Sequence, residues 1–446
     1  MPHLSTILAV AVVLGFMILI HEFGHYAAAK LFKVRVEVFS IGFGKRLLGF
    51  RKGETDYRIS AIPLGGYVKM SGENPMDERT GDPAEFLSHP RWQRFVIAFA
   101  GPAMNIMLAV GLLTVVYMVR YERPVFVDKP AVVGWVLPDL PAAKAGIQEG
   151  DRIIRIDGIE NPTWEQVFPK VALSPNQPLN VTVLRDGHVL EKTVTPKATG
   201  IDQYGSLGCV PDQPLIVTEL EPGMPAEKAG MKVGDTILAL NGQPVRAIQQ
   251  MIGMLQKSKD APVEVTLQRG AQQLQLTMTP VKAAVEGTAE TLYRVGFLSE
   301  PSISTRLTFP DAFRKSIDDN RTSSGLILEL LQKMIQRKVS MRTVEGPIGI
   351  GKAVGRAVRE DGWTPLLNIT AAISLNLGIF NLLPIPILDG GVILLLFIES
   401  LMQRDISLPV KERIYQAAFL FIVLFAVMVI FNDIVKTVPG LAERLM

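Results

Sequence analysis

The sequence predicts a multi-pass α-helical membrane protein with four transmembrane helices and two tandem α+β domains inserted between the second and third spans. Two observations lead to this prediction. Apolar residues make up 48% of the 446 residues and charged residues only 20%, which is too apolar for an ordinary soluble protein. In addition, four stretches approach the ~20 uncharged residues that a helix needs to cross a bilayer.

Charge and cysteine content exclude several classes of function. The chain has 46 basic and 43 acidic residues, so it lacks the basic excess typical of nucleic-acid binding, and we expect no nucleic-acid partner. A single cysteine, Cys209, can form neither an intramolecular disulfide nor a multi-cysteine metal site. No histidine stands near it in the sequence, so a catalytic thiol is not favoured.

The positive-inside rule gives the orientation of the predicted spans. The loop after the first span is rich in Lys and Arg between residues 30 and 52, which places it in the cytoplasm. Four spans then leave both termini and residues 120–362 outside. The start MPHLST lacks the basic residues of a signal peptide, so we expect a retained first span.

The predicted segments are a first transmembrane helix at 1–30, a cytoplasmic loop with a membrane-associated β-hairpin at 31–93, a second transmembrane helix at 94–120, two outer domains at 131–211 and 214–300, amphipathic outer helices at 305–345, a broken third segment at 363–398 and a fourth transmembrane helix at 414–435.

The large outer segment contains an internal repeat. PAAKAGIQEGDRIIRIDG at 141–158 and PAEKAGMKVGDTILALNG at 225–242 share nine of eighteen positions, so two copies of one domain are expected. Each copy has a short helix ending at Gly, a Gly-Asp turn into a strand, and a closing Asp-Gly or Asn-Gly turn. This pattern resembles the PDZ domain. The resemblance implies a late peptide-binding loop at Leu207 and Gly208 in one copy and at Val295 and Gly296 in the other. These loops either bind peptide ends or belong to modules that only shield the membrane part.

Residues 306–339 have the pattern of an amphipathic helix pair, with Phe313 and Ile317 in the first helix and Leu326 to Ile335 in the second. We interpret the pair as a packing or interfacial element.

The strongest chemical signal lies at the end of the first apolar run, in His21-Glu22-Phe23-Gly24-His25. Histidines at i and i+4 lie on one helix face about 6 Å apart along the axis, so both imidazoles can bind one metal ion. Glu22 lies beside them, where it can take a proton from water. Because burying these groups in a membrane is costly unless they are paired or ligated, a purely structural role is disfavoured.

Asp389 is the candidate third ligand. It is the one charged residue in the apolar run from Trp363 to Ile398, and catalytic zinc takes three protein ligands. A continuous helix over that run would be about 54 Å long, and Pro384 and Pro386 interrupt it just before Asp389. A broken span lining a cavity is therefore predicted. The alternative is that Asp389 only caps a helix.

The segment from Arg58 to Met70 reads as two short strands around a Gly65-Gly66 turn. It contains few charges for a cytoplasmic loop, so an edge strand near the metal could hold an unwound substrate through Gly65, Gly66 and Tyr67. The alternative is an ordinary surface hairpin.

In FAGPAMN at 99–105, Gly101 and Pro102 predict a kinked, closely packed span, and Asn105 could bond to a neighbouring helix.

HEFGH together with NLLPIPILDGG resembles the site-2 protease family of intramembrane metalloproteases, and FAGPAMN and PLGGYVKM extend the resemblance over nearly the whole chain. The resemblance implies one zinc ion held by His21, His25 and Asp389, with Glu22 as general base. It also implies that Asn381 holds the substrate backbone. Val392, after Asp-Gly-Gly, departs from the His found in many relatives.

The sequence therefore predicts an intramembrane zinc metalloendopeptidase. By resemblance, its partners in the bacterial inner membrane are single-span substrates, namely anti-sigma factors and remnant signal peptides, with the PDZ-like domains and both termini in the periplasm. The alternative is a PDZ-bearing membrane scaffold with a vestigial metal site. A protease for soluble peptides is disfavoured because the outer domains contain no HExxH motif.

Overall fold

The computed structural model describes residues 2–73, 81–284, 291–299, 302–360 and 362–437. Parts of the predicted segments 31–93 and 214–300 lie outside these residues. The chain divides into two compact units. We call Met1–Arg120, Arg306–Glu329 and Val344–Met446 the helical unit, and Tyr121–Thr305 with Leu330–Thr343 the β-rich unit.

The helices are of two kinds, long apolar ones and short or amphipathic ones. In the described part of the chain, three are long and apolar enough to cross a membrane: Thr6–Leu31, Arg91–Val119 and Leu408–Thr437. The α-helices are α1 Pro2–Leu31, α2 Arg91–Val119, α3 Pro141–Lys144, α4 Trp164–Ala172, α5 Pro225–Lys228, α6 Ile248–Ser258, α7 Phe309–Ile335, α8 Pro347–Arg359, α9 Thr364–Asn381, α10 Asp389–Met402 and α11 Leu408–Thr437.

Helix α1 ends in a Schellman motif that fixes the chain just after the HEFGH sequence. Lys33 takes a left-handed conformation with φ 64°, and the Val34 amide donates to the Ala29 carbonyl over 2.9 Å. Val34 is buried and packs with Ala29 in an apolar cluster. The last turn of α1 is thus anchored, which restricts where the histidines one and two turns earlier can point.

The residues predicted as one broken third span form two shorter helices, α9 and α10. Helix α9 ends at Asn381 and α10 begins at Asp389, and Pro384 and Pro386 stand between them. Proline lacks the amide that helix continuation needs. Ile387 in this turn has φ 93°, a conformation that costs a β-branched residue about 1–3 kcal/mol. The turn places Asp389 in the first turn of α10.

The predicted amphipathic helix pair is wrong, because α7 is one continuous helix from Phe309 to Ile335. Ser323, Ser324 and Gly325 lie between the two predicted helices, and none of them lacks a backbone donor as proline does. Ser324 Oγ instead donates to the Asn320 carbonyl one turn back, over 2.7 Å. Helix α8, from Pro347 to Arg359, follows as a separate amphipathic helix.

The chain reverses direction between Ile59 and Gly66, as the predicted turn requires, but Gly66 already pairs with Ile41 after the reversal. Both glycines lie within β2 (Thr55–Met70), and the turn that joins it to β1 (Val36–Lys52) is at Gly53-Glu54. Gly53 has φ 60° at the first central position, where a tight hairpin turn favours glycine. The strands bend back on themselves, so that Phe39 to Ile41 pairs with residues 57–59 on one side and 66–68 on the other.

The β-rich unit contains two repeats with a similar order of elements, which we call the first repeat (β4 to β11) and the second repeat (β12 to β20, with one additional strand before its first helix). The first has a sheet β6-β5-β7-β8 and the second a sheet β12-β14-β16-β17, in which β15 also pairs with β14. The strands of this unit are β3 Tyr121–Pro124, β4 Val133–Val136, β5 Arg152–Ile156, β6 Ile159–Glu160, β7 Leu179–Arg185, β8 His188–Val194, β9 Lys197–Thr199, β10 Tyr204–Ser206, β11 Cys209–Pro211, β12 Leu215–Ile216, β13 Glu219–Leu220, β14 Thr236–Leu240, β15 Gln243–Pro244, β16 Val263–Arg269, β17 Gln272–Met278, β18 Val281–Ala284, β19 Thr291–Arg294, β20 Phe297–Leu298 and β21 Ser302–Thr305.

An equivalent ion pair stabilises the Gly-Asp turn of each repeat. Asp151 and Asp235 are almost completely buried, and each accepts two hydrogen bonds of 2.6–2.7 Å from one guanidinium, that of Arg185 or Arg269. The Arg269 guanidinium lowers the pKa of Asp235. The ion pair therefore increases the free energy of unfolding at pH values above the ordinary pKa of an aspartate. This contribution is lost as the pH falls through the lowered pKa of Asp235.

Candidate metal centre

The two histidines of HEFGH lie on one face of α1 and converge as their spacing predicts. The Nε2 atoms of His21 and His25 are 3.2 Å apart, and the ring centroids are 4.8 Å apart in an edge-to-face arrangement. Both side chains are buried. Burial of two imidazoles with facing nitrogens requires a compensating partner.

Asp389 supplies that partner from the first turn of α10. Its Oδ2 lies 3.1 Å from His21 Nε2, and its Oδ1 lies 3.4 Å from His25 Nε2. The carboxylate therefore faces both imidazoles, and is not turned back as a simple helix cap would be. Among the described residues, these three form the group of side chains that could hold a metal ion.

The geometry of the three side chains fits zinc. Zinc takes nitrogen and oxygen ligands at about 2.0–2.1 Å, so the edges of its coordination tetrahedron measure about 3.3–3.4 Å. The two imidazole Nε2 atoms are 3.2 Å apart, and they lie 3.1 and 3.4 Å from the two different oxygens of the Asp389 carboxylate. With one ligand atom taken from each residue, all three lie within 4.8 Å of one another. Two neutral imidazoles and one carboxylate also match a catalytic zinc site, which keeps a fourth position open.

Helix α2 contacts the outer nitrogen of each imidazole. His25 Nδ1 lies 2.8 Å from the Ile97 carbonyl oxygen, to which it donates. His21 Nδ1 lies 3.2 Å from Asn105 Nδ2. When the Nδ1 of a histidine carries the proton, Nε2 presents its lone pair, so the His25 contact leaves Nε2 available to a metal.

Glu22 lies beside the histidines and is held by the β-hairpin. Its Oε2 accepts a hydrogen bond of 3.0 Å from the Val68 amide of β2. In the described residues, the stretch from Gly66 to Met70 pairs with β1 alone, so Val68 belongs to an edge strand. The hairpin thus brings a strand edge to the carboxylate that HExxH chemistry uses.

A cavity of about 530 Å³ opens onto these groups. Its wall includes the predicted metal ligands and Glu22, and also the other predicted substrate contacts of the helical unit. Asn381, at the end of α9, lines the cavity together with Val392 of α10. The remaining predicted substrate contacts in its wall are Gly65, Gly66 and Tyr67.

Gly101 allows α2 to approach the metal centre. A Cβ at this position would lie 2.3 Å from His25 Nε2, far inside contact distance. The sequence predicts that Gly101 and Pro102 allow close helix packing. The contact that Gly101 makes is with the imidazole of a candidate metal ligand.

Gly101→Ala should consequently displace the His25 imidazole and lower zinc affinity by at least about tenfold, the scale seen when groups around a metal are disturbed. Gly111→Ala is the matched control, since it lies on the same helix and a Cβ there meets nothing within 4 Å. Zinc content of the two purified variants is the measurement. Equal zinc binding in both would show that the close contact at Gly101 does not constrain His25.

The predicted peptide-binding residues all lie in the β-rich unit. Leu207 and Val295 are buried in the cores of the first and second repeats. In the first repeat, the Leu207 carbonyl accepts a hydrogen bond from the Ala142 amide, and the Gly208 carbonyl accepts one from the Leu137 amide. In the second repeat, the Val295 carbonyl accepts from the Ala226 amide, and the Gly296 carbonyl accepts from the Glu221 amide. The loops therefore have equivalent backbone contacts. Val295 and Gly296 also line a cavity of about 640 Å³ beside α6.

The surroundings of Cys209 do not favour a reactive thiolate. Desolvation raises the pKa of its thiol to about 12, so the thiolate is scarce at neutral pH. This agrees with the sequence-based exclusion of cysteine catalysis.

Asn105 was expected to bond to a neighbouring helix, and its amide lies against His21 of α1, but the sequence analysis did not connect it with the metal centre. Sequence reasoning missed Val68 altogether. A polar residue in an apolar span is a usable signal for Asn105. Val68 carries no such signal, because it acts through its backbone amide.

An HExxH motif in a helix long and apolar enough to cross a membrane, an aspartate that faces it from the start of α10 and a strand edge at the glutamate are the features of an intramembrane metalloprotease. Comparison with known proteins agrees. The chain belongs to Peptidase family M50, the site-2 protease family, whose family model matches residues 9–425.

Three relatives illustrate the similarity. A putative zinc metalloprotease of Vibrio cholerae is 34% identical, over 96% of this chain and 98% of its own. Protease RseP of Yersinia pestis is 33% identical, over 97% and 99%. Regulator of sigma-E protease RseP of Escherichia coli is 32% identical, over 95% and 96%. A solved PDZ domain of an SdrC-like protein from Listeria monocytogenes covers 20% of this chain and 90% of its own at 18% identity, with a TM-score of 0.17, too slight a likeness to carry an argument.

The predicted family and enzyme class are thereby confirmed, and the chain is an intramembrane zinc metalloprotease. Its apolar helices and its family make it an integral protein of the inner membrane. The alternative of a membrane scaffold with a vestigial metal site is not supported.

Proposed function

We propose that His21, His25 and Asp389 hold one zinc ion per chain and that Glu22 is the general base for peptide-bond hydrolysis. The observation that carries this proposal is the convergence of one ligand atom from each of the three residues within 4.8 Å, inside a cavity that Glu22 also lines. When bound, zinc supplies a Lewis acid that polarises a carbonyl and lowers the pKa of water.

Glu22 moves the proton in this scheme. Its carboxylate takes a proton from the attacking water as the new carbon–oxygen bond forms, and passes it to the amide nitrogen as the carbon–nitrogen bond breaks. The 3.0 Å hydrogen bond from the Val68 amide fixes one oxygen of the carboxylate, which orients the group without neutralising it.

The strand edge and Asn381 hold the substrate in an extended form. A helical substrate keeps its carbonyls in internal hydrogen bonds, so it must unwind before cleavage. An unwound segment can add to the free edge of β2 near Gly65, Gly66 and Tyr67 by strand pairing. Asn381 lines the same cavity, and its amide offers both a donor and an acceptor to a peptide backbone.

The topology follows from the basic loop and the apolar helices. Helices α1, α2 and α11 cross the membrane, and α9 with α10 forms a broken third span, giving four spans in all. The basic first loop is cytoplasmic, and both termini and the β-rich unit are periplasmic. The substrates are single-span membrane proteins, such as anti-sigma factors, and remnant signal peptides. Relatives named regulator of sigma-E protease support the first class.

The two repeats of the β-rich unit act as tandem PDZ domains that select substrates. The cavity beside α6 in the second repeat is lined by apolar side chains such as Met251, Ile252 and Leu255, together with Val295 and Gly296. Such a groove suits an apolar peptide end. Leu207 and Gly208 occupy the equivalent loop of the first repeat.

The test is to purify the protein, measure its zinc stoichiometry, and incubate it with a panel of single-span membrane peptides and soluble peptides of the same sequence length. One zinc per chain and cleavage restricted to membrane peptides supports the proposal. Stoichiometric binding without any cleavage of membrane peptides, or cleavage of soluble peptides alone, contradicts it.

Deletion of residues 131–300 should separate selection from catalysis. These residues lie on the opposite side of the membrane from the basic loop in the proposed topology, so they cannot provide catalytic groups. We expect the deletion to leave cleavage of an already shortened substrate largely intact and to permit premature cleavage of the full-length one. Gel-based cleavage of both substrates is the measurement. Loss of cleavage of the short substrate, in a protein that still inserts and binds zinc, would show that the domains engage the substrate directly.

A further inference from the structure

Asn105 is a completely buried polar residue in the middle of the apolar helix α2. Its Nδ2 lies 3.2 Å from His21 Nδ1, and its Oδ1 has no hydrogen-bond partner among the described residues. A buried amide without full pairing costs free energy, so its retention in an apolar span calls for a specific partner. The adjacent imidazole is that partner.

The orientation of the amide determines what His21 can do. If Nδ2 donates to Nδ1, the proton of a neutral His21 is on Nε2, the atom that faces Asp389. That imidazole then has no lone pair for a metal. A half-turn of the terminal torsion exchanges oxygen and nitrogen within almost the same volume. Oδ1 then accepts from Nδ1–H, and Nε2 presents its lone pair.

His25 shows the second arrangement in the same centre. Its Nδ1 donates to an oxygen of α2, the Ile97 carbonyl, over 2.8 Å. Ile97 and Asn105 are eight residues apart, which puts them about 80° apart around α2 and about 12 Å apart along its axis, and both contact histidines of α1. Helix α2 thus contacts the outer nitrogens of both histidines.

The backbone of Asn105 is itself fixed. Ser374 Oγ of α9 donates to the Asn105 carbonyl over 2.8 Å, and both residues are completely buried. Gly378, one turn further along α9, packs against the Asn105 Cβ position. The amide is therefore presented to His21 by two helices, with little freedom to leave it.

We propose that Asn105 is a positioning residue for the metal centre, and that its amide oxygen accepts a hydrogen bond from His21 Nδ1–H and so keeps Nε2 free to bind zinc. This inference rests on the proposed ligand set. It extends that set by assigning to α2 a side chain that orients a ligand without touching the substrate.

The test compares Asn105→Leu, which removes the acceptor, with Asn105→Asp, which retains an oxygen and cannot donate as a carboxylate. Zinc affinity is measured by competition with a chelator, using the full-length protein and zinc alone. We expect Asn105→Leu to weaken zinc binding about 10–100-fold and Asn105→Asp to bind within a few-fold of wild type or more tightly. Thr114→Val on the same helix is the control for loss of a buried polar group.

Each outcome is decisive. Unchanged affinity in Asn105→Leu overturns the proposal, and equal losses in Asn105→Leu and Asn105→Asp overturn the direction of the hydrogen bond. If Asn105→Leu does not accumulate in membranes, Asn105→Asp alone decides, because a tenfold loss there contradicts an accepting oxygen. Wild type and Asp389→Ala are measured in parallel. Absence of zinc binding by wild type would count against the ligand set and not against Asn105.

Discussion

Glu22→Gln is expected to bind as much zinc as wild type while its turnover falls by at least about 10²–10⁴-fold. The amide has nearly the same shape and can still contact the Val68 amide through its oxygen, but it cannot take a proton from water. Zinc content and the rate of cleavage of a single-span membrane peptide are the two measurements.

A matched control is Glu54→Gln, which removes an equivalent charge at the hairpin turn, where the side chain is 61% exposed. It should leave both zinc content and turnover unchanged. Activity of Glu22→Gln within a few-fold of wild type would remove Glu22 from the role of general base.

Asp389→Asn should reduce both zinc affinity and activity, because it replaces an anionic ligand with a neutral one of the same size. The loss of affinity should exceed the 10–100-fold that is typical of groups that only support a ligand. It should appear in chelator competition even when no substrate is present, which separates a ligand from a residue that acts only on the substrate.

Asp405→Asn serves as the control, because Asp405 is exposed and pairs with Arg91 outside the cavity. Its zinc affinity should match that of wild type. Stoichiometric zinc in Asp389→Asn together with normal cleavage would leave Asp389 as a helix cap.

The sequence was most informative where chemistry depends on local spacing. Histidines at i and i+4 on a helix must share a face, and the structure brings His21 and His25 within 3.2 Å. Asp389 could be singled out because a charge in an apolar run is rare, and the structure brings it to the same point.

Features that depend on the register between segments could not be predicted in this way. Gly65 and Gly66 indicated a turn, and the chain does reverse between Ile59 and Gly66. No local pattern indicated that Phe39 to Ile41 of β1 lies between the two arms. The contact between Asn105 and His21 depends on how α2 packs against α1, which no local pattern specifies. The same limit applies to α7, where Ser323 to Gly325 is compatible with either a break or a continuous helix.

The separation of the candidate ligands along the chain has a consequence for biosynthesis. About 360 residues, including the whole β-rich unit, lie between His25 and Asp389. At a synthesis rate of about 5–20 residues per second, Asp389 leaves the ribosome roughly 20–70 s after the HEFGH segment. A nascent chain with the proposed ligand set therefore carries only two of its three ligands while the β-rich unit is being made and folded. Proteolytic competence arrives late in translation, after the segment proposed to restrict substrate access has already been synthesised.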